Sequence, residues 1–230
     1  MNSGELYSAF RSDVVDTEIP YLWTDSEVYR YMNDAYRTYV RLTGGVPDKS
    51  SAITLLDIVI GERVAEVSPL ILKFRVMELV SSGKTITILN ETDPVLTTRA
   101  DYGSLRTLYR NREPGPVSYA VVGADRNRLR GLVEWIQIPQ EADQVQCSLL
   151  RLPLEKITGS TQEFDDMGDE HHESLLMWMK HRAYGKQDAE TFDRGKSEQF
   201  KTAFEAYCTT SRNEYDRYKT KVRVLAYGGL

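Results

Sequence analysis

All three histidines of the chain, His171, His172 and His181, lie in one stretch, with Glu170 and Glu173 among them. A zinc hydrolase helix needs His-Glu-x-x-His, because residues four apart put two imidazoles on one face and leave the glutamate as general base. The fourth residue after His172 is Leu176, and His181 falls on a different turn, so that pattern fails. The cluster reads instead as the polar start of a helix. Asp165, Asp166, Asp169 and Glu170 offer oxygen ligands to a hard cation, but their spacing fits no EF-hand loop, and acidic side chains are favourable near a helix N-terminus in their own right. No G-x-G-x-x-G, Walker A or G-x-S-x-G pattern occurs, so nothing cradles a phosphate or presents an activated serine. Cys147 and Cys208 are the only cysteines and read as free core thiols in a reducing compartment. The expectation is a chain with no catalytic, metal or cofactor-binding residue, and not an enzyme.

What remains is contact chemistry. Arg106, Arg110 and Arg112 fall near one another, as do Arg126, Arg128 and Arg130. They read as solvated faces or as a surface against an acidic neighbour. Grip on a nucleic-acid backbone calls for a basic excess, and the net charge is -5. Near the C-terminus, Arg217, Tyr218, Lys219, Lys221, Arg223 and Tyr227 make a basic, tyrosine-bearing stretch suited to an acidic partner; the alternative is a disordered end. The chain carries 14 Tyr against 6 Phe. A tyrosine pairs an apolar body with a polar tip, which suits a surface buried against another subunit as well as a half-exposed helix of a monomer.

The elements that must position these groups fall into three zones. With 230 residues, 41% hydrophobic and 27% charged, the chain has the composition of an ordinary globular protein. No apolar run approaches the ~20 residues that span a bilayer, and the first residues lack the basic start and apolar stretch of a secretory signal. In the first zone, Leu6, Phe10 and Val14 share a helical face. Pro20 interrupts, and Tyr21-Leu22-Trp23 makes an apolar lead-in. Thr24 and Glu27 have capping-box spacing, followed by a stripe of Val28, Tyr31, Met32, Ala35, Tyr36, Tyr39 and Leu42. Gly44-Gly45 and Pro47 end that helix.

The middle zone changes period. Residues 53–60, 70–80, 84–89, 117–122, 129–138 and 145–152 read as strands. Ser81-Ser82-Gly83 marks a hairpin turn, and Asp93-Pro94 starts a short helix. The third zone returns to helix. Asp169 caps a helix carrying His172, Leu175, Leu176, Met179 and Ala183. Asp188 caps another, carrying Phe192, Lys196, Phe200, Ala203, Phe204 and Tyr207 and running to about Arg217. The expected fold is mainly α: a helical bundle built from both chain ends (1–45 and 169–217), with a small antiparallel β layer or barrel inserted at 51–155. Residues 1–217 form one domain in this reading, and 218–230 an extended C-terminal tail in which Val222 and Val224 alternate with Arg223 and Leu225.

Four stretches, in this order, resemble the head-to-tail adaptor (connector) family of tailed bacteriophages. They are Thr24-Asp25-Ser26-Glu27-Val28 with Tyr31-Met32-Asn33-Asp34-Ala35-Tyr36; Pro116-Val117-Ser118-Tyr119-Ala120; Leu132 to Leu152, ending Leu150-Arg151-Leu152-Pro153; and Glu170-His171-His172-Glu173-Ser174-Leu175-Leu176 with Lys180-His181-Arg182-Ala183-Tyr184, then a long helix with Phe200 or Phe204. The join 155–166 is longer than in that pattern. The resemblance implies a structural virion protein, made in the host cytoplasm and placed at the neck. Roughly twelve copies would close a ring by rotation between portal and tail or nozzle proteins, and double-stranded DNA would pass the channel without sequence-specific binding. No membrane and no cofactor are implied. Two other readings stay open: a non-virion helical module or regulator, and a hydrolase built on the acidic and histidine residues.

Overall fold

The computed structural model describes residues 1–90, 93–97, 111, 113–123, 131–187 and 191–219. The helices are α1 (Ser3–Asp13), α2 (Asp25–Leu42), α3 (Pro94–Thr97), α4 (Leu175–Tyr184) and α5 (Arg194–Lys219). The strands are β1 (Val46–Asp48), β2 (Leu55–Ile58), β3 (Val64–Glu66), β4 (Ile71–Leu79) and β5 (Thr85–Asn90). They continue with β6 (Pro114–Gly115), β7 (Tyr119–Val122), β8 (Leu132–Trp135), β9 (Ile138–Pro139) and β10 (Asp143–Arg151). The chain divides into two compact units: Met1–Gly44 with Glu155–Leu230, and Gly45–Leu154. Among the described residues no helix is long and apolar enough to cross a membrane.

The first unit is helical. Both of its opening helices start with a reciprocal cap: the Asn2 side chain accepts from the Glu5 N–H while Glu5 accepts from the Asn2 N–H, and Thr24 and Glu27 do the same for α2. Each cap satisfies two backbone donors that the helix leaves orphaned. The stripe of α2 buries Val28, Tyr31, Met32, Ala35, Tyr36 and Tyr39, with Val40 beside them, while Leu42 at its end is exposed. Burying each large apolar side chain contributes about 1.5–3 kcal/mol. The third-zone helices begin later than expected. Asp169 opens a 3-10 segment, Asp169–Ser174, that precedes α4. The cap of α5 is Asp193, whose carboxylate accepts from the Lys196 N–H at 3.0 Å; Asp188 lies outside the described residues. Phe192 therefore precedes the helix and is 49% exposed. The buried side of α5 runs through Ser197, Phe204 and Cys208, and the exposed Ala203 is not part of it.

The second unit overturns the expected fold class. Gly45–Leu154 is nearly half of the chain, so the protein is not mainly α. Among the described residues its strands form no small antiparallel layer but an eight-stranded curled sheet in the order β1-β10-β4-β5-β7-β8-β3, with β2 also paired to β10, while β6 and β9 pair with each other apart from it. The sheet is mixed: β5 and β7 run parallel, Thr87 opposite Tyr119 through Asn90 opposite Val122. A parallel pair needs a long crossover, and period-2 patterning identifies strands without naming their partners. The nine residues of β10 hold the unit together, pairing β4 along one edge and β1 and β2 in tandem along the other. Their inward side chains Val145, Cys147 and Leu149 meet Leu56, Ile58, Met77, Ile86, Val133 and Trp135 in one core. The β4–β5 hairpin closes at Gly83, in the left-handed region at φ +67°, where the Gly83 N–H donates to the Leu79 carbonyl. The expected extended tail is also corrected at its start: α5 continues through Lys219, so Tyr218 and Lys219 are helical.

Candidate functional site

Each histidine is absorbed by packing. His172 is buried and its Nε2 lies 3.2 Å from the Met167 carbonyl. The Nδ1 of His171 lies 2.9 Å from the Tyr207 hydroxyl, and its ring packs against Tyr39. The Nδ1 of His181 lies 2.9 Å from the Ser197 Oγ. His171 and His181 thus tie the 3-10 segment and α4 to α5, while His172 packs against Phe164 and Met167 instead. Among the described residues no group of three or more His, Cys, Asp or Glu side chains could hold a metal ion. Cys147 and Cys208 are buried, and burial pushes both thiols up to about 12, which leaves little thiolate at neutral pH.

Two surfaces do stand out. The first is the segment joining α1 to α2. Val15 and Ile19 are each 83% exposed, and Leu22 is exposed beside them. A loop with that much apolar surface in water is expected to be slack, yet this one is braced from beneath. Asp16 is buried and forms an ion pair with the buried Arg11. Its carboxylate also accepts from the Leu22 N–H at 2.8 Å and from the Trp23 N–H at 3.4 Å. The Arg11 guanidinium reaches Asp25 at 2.9 Å and lies over the Tyr21 ring at 4.1 Å. Trp23 is buried between Phe10 and Tyr184, edge-on to both. Val15 sits at φ +56°, a region that costs a β-branched residue on the order of 1–2 kcal/mol. Strain of this kind persists where the surroundings over-determine it.

The second surface is a seam in the curled sheet. Among the described residues β3 ends the strand order and β2 has β10 as its one strand partner, so each has an edge that no described strand pairs. An open cavity of about 550 Å³ lies along these edges, lined by Leu55, Asp57, Val59, Glu62, Val64 and Glu66 among others.

The residues expected to bind partners are divided between described and undescribed chain. Arg217 is exposed on α5; Tyr218 and Lys219 belong to that helix by backbone; Lys221, Arg223 and Tyr227 lie outside the described residues. So do the arginines at 106, 110, 112, 126, 128 and 130.

The exposed apolar loop and the partly acidic seam are two surfaces that the described residues present. The model of the family described as SU10 adaptor protein matches residues 1–225. The chain belongs to the SU10 adaptor family. A comparison with curated proteins finds no match. A SU10 adaptor protein is a phage adaptor, a structural component of the virion that interacts with other phage structural proteins. The sequence motifs that pointed to an adaptor lie on structural features of this family member: the capping box opens α2, and the histidine stretch packs against α5. What sequence reasoning missed in this adaptor is the α1–α2 loop. Its signal was present as an apolar Ile19 and Tyr21-Leu22-Trp23 around Pro20, but exposure and burial cannot be told apart from residue type alone.

Proposed function

We propose that this SU10 adaptor protein forms the head-to-tail adaptor ring of the phage neck, between the portal and the tail or nozzle proteins, and performs no reaction. About twelve copies close the ring by rotation, each presenting one surface to its neighbour's different surface. The observation that carries this reading is the family match over residues 1–225, and the braced apolar loop supports it from the structure. Val15, Ile19 and Leu22 are assigned to contact with the neighbouring copy, because a pre-organised apolar surface loses little conformational entropy on docking. The basic stretch of Arg217, Tyr218, Lys219, Lys221, Arg223 and Tyr227 is assigned to partner binding, on an acidic surface of the portal or of an adjacent subunit. The genome passes through the central channel without sequence-specific contact. A chain of net charge -5 suits an acidic lumen, since like charge keeps DNA from adhering.

Electron microscopy of virions decorated with antibody against this chain tests the reading. Label is expected at the head–tail junction, and particles lacking the protein are expected to fill with DNA but remain tailless. Label elsewhere on the particle, or normal tail attachment without the protein, overturns it.

A further inference from the structure

The braced loop between α1 and α2 carries charge as well as apolar surface, and its exposed charge has one sign. Between Ser12 and Ser26 the exposed charged residues are Asp13, Glu18 and Asp25, while the nearby Arg11 is buried. Asp13 pairs with Lys180 and Asp25 with Arg11. Among the described residues Glu18 has no ion pair, and it adjoins the exposed Ile19. The surface that fits such a loop is an apolar hollow with a basic rim. Of three cavities lined by described residues, two are acidic. One holds Glu5, Glu163, Asp165 and Asp169, and the seam holds Asp57, Glu62 and Glu66. Either would set carboxylate against carboxylate. The third, of about 410 Å³, has no carboxylate in its lining.

That cavity originates in the strand pairing. The β4–β5 hairpin is paired from its turn as far as Met77 opposite Ile86. Beyond that point β5 continues with β7 and β4 with β10, so the two strands part. Leu72, Phe74, Ile88 and Val122 line the gap, and the last three also pack on the core. Lys73 and Arg75 line it too and are exposed. We propose that the α1–α2 loop of one copy docks into this cavity of the next copy, with Val15 and Ile19 on the apolar lining and Glu18 against Lys73 and Arg75. The inference rests on the reading of that loop as a contact between copies, and it names the receiving surface. Loop and cavity are different parts of the chain, so the contact is heterologous, the type that closes a ring by rotation. A two-fold contact of loop on loop would instead bring Glu18 against its own counterpart. Apolar burial holds such a contact, and the charges at its edge select the partner and fix the register.

Cross-linking in particles purified from infected cells, tailed or not, tests it. Thr17→Cys with Lys73→Cys places one thiol on each surface, both at exposed positions, while the native Cys147 and Cys208 are buried. A short thiol-to-thiol reagent is expected to give a ladder of multimers from the double variant and no multimer from either single one. Like charges brought together oppose association, so adding Glu18→Lys, which then meets Arg75, is expected to cut the ladder by about tenfold or more. Adding Arg75→Glu to that chain is expected to bring the ladder back. A dimer from either single variant marks a two-fold contact and overturns the proposal. So does a double variant whose cross-links stay within single chains, or a ladder indifferent to Glu18→Lys. Antibody label at the neck of the same particles then keeps the location standing without this contact. Label elsewhere overturns the neck assignment, whereas a charge-dependent ladder supports the contact wherever the particle carries it.

Discussion

At the scale of single residues, two ion pairs carry more than the histidines that first draw the eye. Arg11 and Asp16 are five residues apart, with side chains 6% and 2% exposed. Removing one member of a buried pair costs about 3–5 kcal/mol where the other is left unpartnered; Arg11 retains Asp25 at 2.9 Å, which puts this pair at the low end, about 3 kcal/mol. Asp16→Ala also strips the acceptor from the Leu22 and Trp23 N–H groups. We expect it to lower unfolding stability by about that amount, read as a reduced midpoint in urea. The second pair, Asp48 with Arg151, joins residues 103 apart, and no local pattern in a sequence announces such a partner. Burial alone would raise the Asp48 carboxyl, but hydrogen bonds from the Ser51 hydroxyl, the Ser50 and Ser51 N–H groups and Arg151 outweigh it and hold it well below the usual carboxylate range. A carboxyl depressed in the folded state contributes stability above its unfolded value of about 4 and loses it as pH falls toward the folded value. Asp48→Asn is therefore expected to flatten the fall in stability below about pH 4, while lowering stability at pH 7. An acid limb of unchanged slope in urea titrations at several pH values counts against that role. That the histidine stretch lacks the zinc-hydrolase motif was legible because His-Glu-x-x-His is a rule of spacing. Its actual partners, Tyr207 and Ser197 on α5, depend on helix packing and were not.

At the scale of elements, legibility follows how local the determining forces are. α2 was readable almost residue by residue, since both its capping box and its 3.6-residue stripe are contained in consecutive sequence. The hairpin at Gly83 was readable for the same reason. The start of α5 was not: Asp188 and Asp193 are chemically equivalent caps, and what chooses between them is where Ser197, buried against His181, must fall. Asp193→Ala should cost about 1 kcal/mol, as lost N-caps do, measured by thermal or chemical unfolding. A loss indistinguishable from zero would show that the helix start is held by packing alone. Strand pairing lies at the other extreme. The alternation at 85–89 identified β5, but its parallel partner β7 follows from a chain crossover with no local signature, and the two-sided role of β10 is equally silent. That is the physical source of the error in fold class: the eye weights a long helical stripe over several short strands, although the strands together order a unit as compact as the helical one.

At the scale of the whole molecule, the decisive contrast is between what folding buries and what it leaves out. The core takes Phe10, Trp23, Met32 and Phe204 to almost no exposure, yet leaves Val15 and Ile19 in water on a loop fixed by Arg11 and Asp16. Exposed single hydrophobes are ordinary. Exposed ones held in place by a buried ion pair, with one of them in a strained backbone region, fit a surface kept for another chain. The consequence can be separated from stability. Val15→Asp with Ile19→Asp changes only solvated side chains, so unfolding stability should stay within about 0.5 kcal/mol of the parent. Placed in an apolar contact, two carboxylates would have to be desolvated without partners, at several kcal/mol each. Phage carrying the double variant should make soluble adaptor in normal amounts and yield DNA-filled heads without tails. Val15→Gly makes the complementary case: it relieves the strained φ, so the isolated chain should become no less stable, and it removes one contact side chain, so tail attachment should fall only in part. If both variants attach tails at the parental level while folding normally, the loop is not the contact and its rigidity serves the fold alone.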